Sequence, residues 1–146
     1  MTRFTLALSL LLLFHLFSNE ATAQTAVDST AVKNTALNYI EGWFEGDPDR
    51  MAKALHPELV KRIVVTDDST GRDMIDGMGI TKLVEGTRRG YGRHLPKSEL
   101  LTDVTILDIT GDAASVKIDA GLWVDYLHVV RFNSEWKILN VLWERK

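Results

Sequence analysis

Cysteine is missing from all 146 residues. Disulfides, thiol nucleophiles and thiolate-ligated metals are therefore excluded, and stability must come from a packed core or a partner subunit. Positive charge is not in excess either. Lys and Arg number 17 against 20 Asp and Glu, a net charge of -3, whereas a nucleic-acid binder would carry a basic face. The phosphate-binding loop, the dinucleotide glycine fingerprint, the Gly-x-Ser-x-Gly elbow and the His-Glu-x-x-His zinc helix do not occur. Candidate His and Asp residues do not fall at i, i+4 on a helix or i, i+2 on a strand, so neither a metal nor a cofactor is expected. There is no internal repeat and no low-complexity tract.

What is present begins with an address. Arg3 supplies a positive start, Phe4 to Phe17 is almost unbroken apolar sequence, and Ala21-Thr22-Ala23 offers small residues to a signal peptidase. The apolar run falls short of the roughly 20 residues a bilayer span needs, and no cysteine follows it for lipid attachment. Residues 1–23 therefore read as a signal peptide. The mature protein is expected to be exported (periplasmic or secreted) and free of the membrane. Gln24 to Lys146 then forms a single domain, large enough for one core. Arg3 and Glu20 cancel, so that domain keeps the charge of -3.

The first element of the domain organises the rest. After a frayed leader over Gln24–Asp28, with Ser29 or Thr30 as cap, Val32, Ala36, Leu37, Ile40, Trp43 and Phe44 recur at three- and four-residue spacing. They share one face of an amphipathic helix. Tyr39 and Trp43 add aromatic area to that face, which must lie against something large. Gly46 suits a left-handed helix end, and Asp47-Pro48 starts a second, short helix with a cap and a proline at its first position. Met51, Ala54 and Leu55 are its apolar side, and His56 before Pro57 ends it.

Leu59 to Val65 reads as a strand, Thr66 to Gly71 as a turn, and Arg72 to Ile75 as the return strand. Asp67, Ser69, Gly71 and Asp73 faintly resemble a calcium loop but lack its distal acidic ligand, so a plain hairpin turn is expected. Asp76-Gly-Met-Gly79 reads as a break before a helix from Ile80 towards Gly90. Arg88, Arg89, Arg93, His94 and Lys97 follow as a solvated, basic helix end. Four strands close the chain: Leu100–Ile109, Ala113–Ala120, Leu122–Phe132 and Trp136–Trp143. Their short links make neighbours antiparallel. Leu122, Val124, Tyr126, Val130 and Phe132 alternate with Trp123, Leu127 and Val129, so the third of these strands is apolar on both faces. One face is expected to take the helices and the other, outer face a second copy of the chain, giving a homodimer.

The element order is α+β, with three helices from the N-terminal half packed on a curved antiparallel sheet. Tyr39-Ile-Glu-Gly-Trp-Phe-Glu-Gly-Asp47, Leu55-His-Pro57, Trp123-Val-Asp-Tyr-Leu-His128 and Trp136-Lys-Ile-Leu-Asn-Val-Leu-Trp143 carry a further signal. In this order they resemble the cone-shaped nuclear transport factor 2-like superfamily, which includes ketosteroid isomerase, scytalone dehydratase and the polyketide cyclases. More narrowly they resemble its lumazine-binding branch, over essentially all of Gln24–Lys146. The resemblance implies a small dimer with a pocket between the helices and the concave face of the sheet.

Tyr39, Trp43, His56, Tyr126, His128 and Trp143 are the candidate ligand-binding residues, for a small aromatic or heterocyclic molecule. In an isomerase-type alternative, Asp125 or His56 is the general base, or Asp119, with Tyr126, Tyr39 or His128 donating to an oxyanion. A third reading is a dimeric interaction domain with no open pocket. Strand geometry restricts the choice: either Asp125 or the Tyr126–His128 pair faces the helices, not all three. A carboxylate at Asp125 needs a buried partner, and Arg62, Arg131 or a tyrosine hydroxyl is expected to supply it.

Overall fold

Helix α1 covers residues 26–45 in the computed structural model, which describes residues 26–146. The expected signal segment, residues 1–23, lies outside the described residues. Val32, Ala36, Tyr39 and Ile40 are the buried stripe of α1, as the three- and four-residue spacing requires. Ser29 and Thr30 do not cap it. Both lie within the helix, and Thr30 Oγ1 donates to the Ala26 carbonyl at 3.1 Å, the bond a hydroxyl makes inside a helix. Asp28, expected in a frayed leader, is likewise helical.

Gly46 turns the chain at φ 64°, and Asp47 caps α2 (Pro48–Ala54) by accepting from the Asp49 and Arg50 amides. The chain then passes directly into β1 (Leu55–Thr66). This strand starts four residues earlier than the Leu59 expected from its β-branched run. Pro57 is tolerated because the pairing of β1 with its neighbour is interrupted between Leu55 and Val60, where no ladder donor is needed.

The return strand β2 (Asp73–Gly79) corrects a second expectation. Asp76-Gly-Met-Gly79 is no break; it stays in register opposite β1, with Gly79 against Val60. Glycine in a strand often marks a close approach of another backbone, and a Cβ at Gly77 or Gly79 would meet the Lys61 or Leu59 carbonyl of β1 at 3.4 or 3.7 Å. The β1–β2 turn is held by Asp67, whose Oδ1 accepts from the amides and hydroxyls of both Ser69 and Thr70. Gly79 then caps α3 (Ile80–Arg88). Two short 3-10 turns, Tyr91–His94 and Lys97–Glu99, lead to the final strands. These are β3 (Asp103–Thr110), β4 (Ala113–Asp119), β5 (Trp123–Phe132) and β6 (Glu135–Arg145). The β5–β6 link is a two-residue hairpin with positive φ at both Asn133 and Ser134, the backbone that suits the twist of paired strands.

All six strands form one open, curved sheet in the order β2-β1-β6-β5-β4-β3. Every pairing is antiparallel except β1 with β6, which is parallel. The three helices pack on its concave face. Val32–Lys146 forms one compact unit, and the core and site lie within it. Ile40, Met51, Ile118, Leu127 and Ile138 are fully buried there, each contributing roughly 1.5–3 kcal/mol by leaving water.

One irregularity in β6 decides what the concave face contains. Val129 pairs with Ile138 but His128 with Asn140, leaving Leu139 as an extra residue. A bulge of this kind shifts the alternation by one. Trp136 and Ile138 point inward before it, Val141 and Trp143 after it.

The Asp67 turn makes a prediction about acid. Hydrogen bonds from Ser69 and Thr70 hold the Asp67 carboxyl down at about 2. Because this pKa is depressed in the folded state, the stabilisation is complete above the unfolded value of about 4. It is lost as pH falls through the folded value. Titration of the Asp67 carboxyl carbon by NMR should give a midpoint near 2, and Asp67→Asn should make stability less sensitive to pH between those limits.

Candidate functional site

A cavity of about 250 Å³ opens between the helices and the concave face. Helix α1 contributes Tyr39, Ile40 and Trp43, α3 contributes Leu83, and the following turn Tyr91 and Leu95. From the sheet come Lys61, Met78, Trp123 and Trp143. Gly92 is what lets the 3-10 turn approach so closely. A Cβ there would overlap the Trp43 carbonyl, so only glycine allows Tyr91 and Trp43 to share one wall. Arg93 fastens the same turn by donating from Nε and Nη2 to the carbonyls of Glu45 and Gly46, at 2.7 and 2.9 Å. Part of the expected basic helix end thus acts elsewhere: Arg93 complements the C-terminus of α1, while Arg88 and Arg89 pair with Glu85.

Under these aromatic walls lies a buried polar network. Lys61 on β1 and Asp125 on β5 are both buried, Asp125 with no exposed surface at all. Lys61 Nζ donates to Asp125 Oδ1 at 2.6 Å and to the Tyr39 hydroxyl at 2.7 Å. Tyr39 in turn donates to Asp125 Oδ2 at 3.3 Å, and Trp123 Nε1 donates to the same oxygen at 2.8 Å. The ammonium also lies 4.9 Å from the centre of the Trp143 ring, a cation–π distance. Burial lowers the pKa of Lys61, opposed by the charge and hydrogen bond of Asp125. Burial raises the Tyr39 phenol well above its usual value, and the Asp125 charge and hydrogen bond raise it further.

The structure brings some of the sequence candidates together and separates others. Tyr39, Trp43 and Trp143 line the cavity, and Asp125 stands directly behind Lys61 without lining it. Tyr126 and His128 face the opposite side of the sheet, where they border a surface pocket with Arg62, Asn140 and Leu142. That is the either-or alternative that strand geometry imposed, resolved in favour of Asp125.

His56 lies away from the cavity. Its Nδ1 accepts from the Glu58 amide at 3.1 Å, and its ring meets Phe132 edge-on at 4.6 Å. Asp119 pairs with Lys146. Of the partners expected for Asp125, the tyrosine hydroxyl is present. Arg62 points outward, and Arg131 stacks on Trp136 and pairs with Asp112. Sequence reasoning missed Tyr91 and Trp123 on the cavity wall and, above all, Lys61. The signal was available: Leu59, Lys61 and Ile63 alternate on one face, and all three are buried. Among the described residues, no cluster of three or more His, Asp or Glu can hold a metal ion.

The geometry defines a class first: an α+β cone with the nuclear transport factor 2-like fold. A protein of that type with a cystatin-like fold from Novosphingobium aromaticivorans superposes with a TM-score of 0.66 at 12% identity, over 89% of this chain and 89% of that one. One from Methylobacillus flagellatus gives 0.62 at 16% identity, over 82% of this chain and 92% of its own. One from Shewanella baltica gives 0.60 at 16%, over 83% and 95%. At these identities the likeness establishes the fold alone, and the last two are themselves described as of unknown function. The family is set by sequence: residues 27–144 match the family described as "Putative lumazine-binding", and the chain belongs to it. No curated protein matches the chain.

The buried ion pair carries a prediction for stability. Removing one partner strands the other charge in an apolar site, which costs about 3–5 kcal/mol, far more than removing both. Lys61→Met should therefore destabilise the protein by about that amount in urea unfolding, and Lys61→Met combined with Asp125→Asn by clearly less. Additive losses in the double-mutant cycle would show that the two groups do not act as a pair.

Proposed function

We propose that this chain is a small-molecule-binding protein whose ligand is one flat, mostly apolar ring system held in the cavity beneath α1. The observation that carries the reading is the cavity wall itself: Trp43, Trp123, Trp143, Tyr39 and Tyr91 surround a single buried polar network. Aromatic walls favour a flat partner that can stack or meet them edge-on. A few fixed polar groups in apolar surroundings are the usual composition of a ligand site. The volume, about 250 Å³, lies just under the common range of about 300–1,000 Å³, which favours a ligand of one to three fused rings. The family's description as lumazine-binding agrees with a fused heterocycle.

The isomerase-type alternative has less support. Asp125 accepts three hydrogen bonds and does not line the cavity, and His56 is engaged with the Glu58 amide away from it. Neither is free to meet a substrate proton, and a general base must come within hydrogen-bond reach of one. The interaction-domain reading has less support again, because the cavity is open rather than filled by Trp and Met side chains. The signal-like N-terminus supports export to the periplasm or the medium.

A thermal-shift screen of fused aromatic heterocycles, pteridines and flavins included, tests the binding reading. A ligand at a hundred times its Kd adds about 2.7 kcal/mol to stability, which a melting curve resolves. Trp143→Ala should weaken binding of any hit by roughly 1–3 kcal/mol, the worth of a ring-on-ring contact. If no compound shifts the melting temperature, or if Trp143→Ala binds a hit as tightly as the parent, this reading is lost.

We also propose a homodimer formed through the convex face. Tyr126 and Leu142 are each about half exposed there, at 47% and 55%, and pair across β5 and β6. Such a patch is better covered than wet. Sedimentation should give a dimer for the parent chain and a monomer for Leu142→Glu combined with Tyr126→Glu. A parent chain that sediments as a monomer at micromolar concentration refutes this assembly.

A further inference from the structure

The polar network specifies which kind of ring compound the cavity accepts. Lys61 Nζ carries three N–H groups. Asp125 Oδ1 takes one and the Tyr39 hydroxyl another. Among the described residues no further oxygen or nitrogen accepts from it; beside it lies the face of Trp143. Lys61 itself lines the cavity, whereas Asp125 does not. The cavity is therefore offered a donor that still has one hydrogen bond to give.

Charge sets the second condition. The ammonium is already neutralised by Asp125, 2.6 Å away and fully buried. A carboxylate arriving at Lys61 would be the second anion on one cation, and it would leave a net negative charge in apolar surroundings. An uncharged acceptor meets the donor without that cost. A ligand bearing only donors finds the Asp125 oxygens already engaged by Lys61, Tyr39 and Trp123.

We propose that the cavity selects uncharged flat ring compounds whose carbonyl oxygen or ring nitrogen accepts a hydrogen bond from Lys61, and that it discriminates against ring carboxylates. This rests on the binding reading above and goes further by fixing the ligand's polarity. Lys61 is the specificity-determining residue, and Asp125 and Tyr39 are positioning residues that hold its ammonium in place.

Three matched probes separate this inference from its parent: naphthalene, methyl naphthyl ketone and naphthoate, titrated calorimetrically at neutral pH. The ketone should bind about tenfold tighter than naphthalene, the gain of one buried hydrogen bond, and naphthoate should bind weakest. In Lys61→Met/Asp125→Asn the ratio of ketone to naphthalene affinity should fall from about ten to about one, whatever the variant does to ring binding itself. If naphthoate equals the ketone, or the ketone is no better than naphthalene, the polarity rule is wrong while ring binding stands. The rule is equally wrong if the double variant keeps the ketone preference. If none of the three binds to the parent chain, both the rule and the binding reading fall.

Discussion

A lysine and an aspartate locked together beneath a ring of aromatic side chains constrain everything else in this protein. Each would be costly to bury alone, because an unpaired charge loses its hydration and gains nothing in return. Together they require two strands at a fixed distance, a tyrosine from α1 to share the ammonium, and an indole N–H to satisfy the remaining oxygen. Such a pair need not add stability over an apolar replacement. Its effect lies in registration: α1, β1 and β5 meet in one arrangement or leave a charge stranded. Helix and sheet are thereby pinned at the place where a cavity remains between them.

Much of this was legible in the residues and part was not. The amphipathic period of α1 already placed Tyr39 and Trp43 on the sheet side, and Asp47-Pro48 already marked the start of α2. Alternation in β5 already reduced Asp125, Tyr126 and His128 to two choices. Which choice holds depends on the side of the sheet the helices occupy, and a strand apolar on both faces does not reveal that. Lys61 was hidden by its neighbour. In Lys61-Arg62 the arginine looks the better partner for a carboxylate, yet Leu59 and Ile63 fix the inward parity on the lysine. The sequence pattern places Trp143 at the cavity, yet the extra residue at Leu139 that turns it inward leaves no mark in the periodicity. The β2 boundary failed for a different reason, since Gly77 and Gly79 read as punctuation and only pairing with β1 shows them to be strand.

The aromatic walls are held by less conspicuous parts. Gly92 allows its turn to touch the Trp43 backbone, and Arg93 closes that turn onto the end of α1. The outer rim of the cavity therefore hangs on a short 3-10 segment with one glycine and one arginine, while the inner end rests on the sheet. Rigid floor and lightly fastened rim are a common division between scaffold and site.

The parallel pairing of β1 with β6 has a consequence for how the site comes into being. Sixty-four positions separate Lys61 from Asp125, and β1 lies between β2, next to it in sequence, and β6, far from it. Contacts this distant in sequence form only after a large closure entropy has been met. A nascent chain still lacking its C-terminal strand has no Trp143 and no inner partner for β1. The cavity thus requires β6 in place, and a chain cut short of that strand would lack both a wall and the partner that holds Lys61 beneath it.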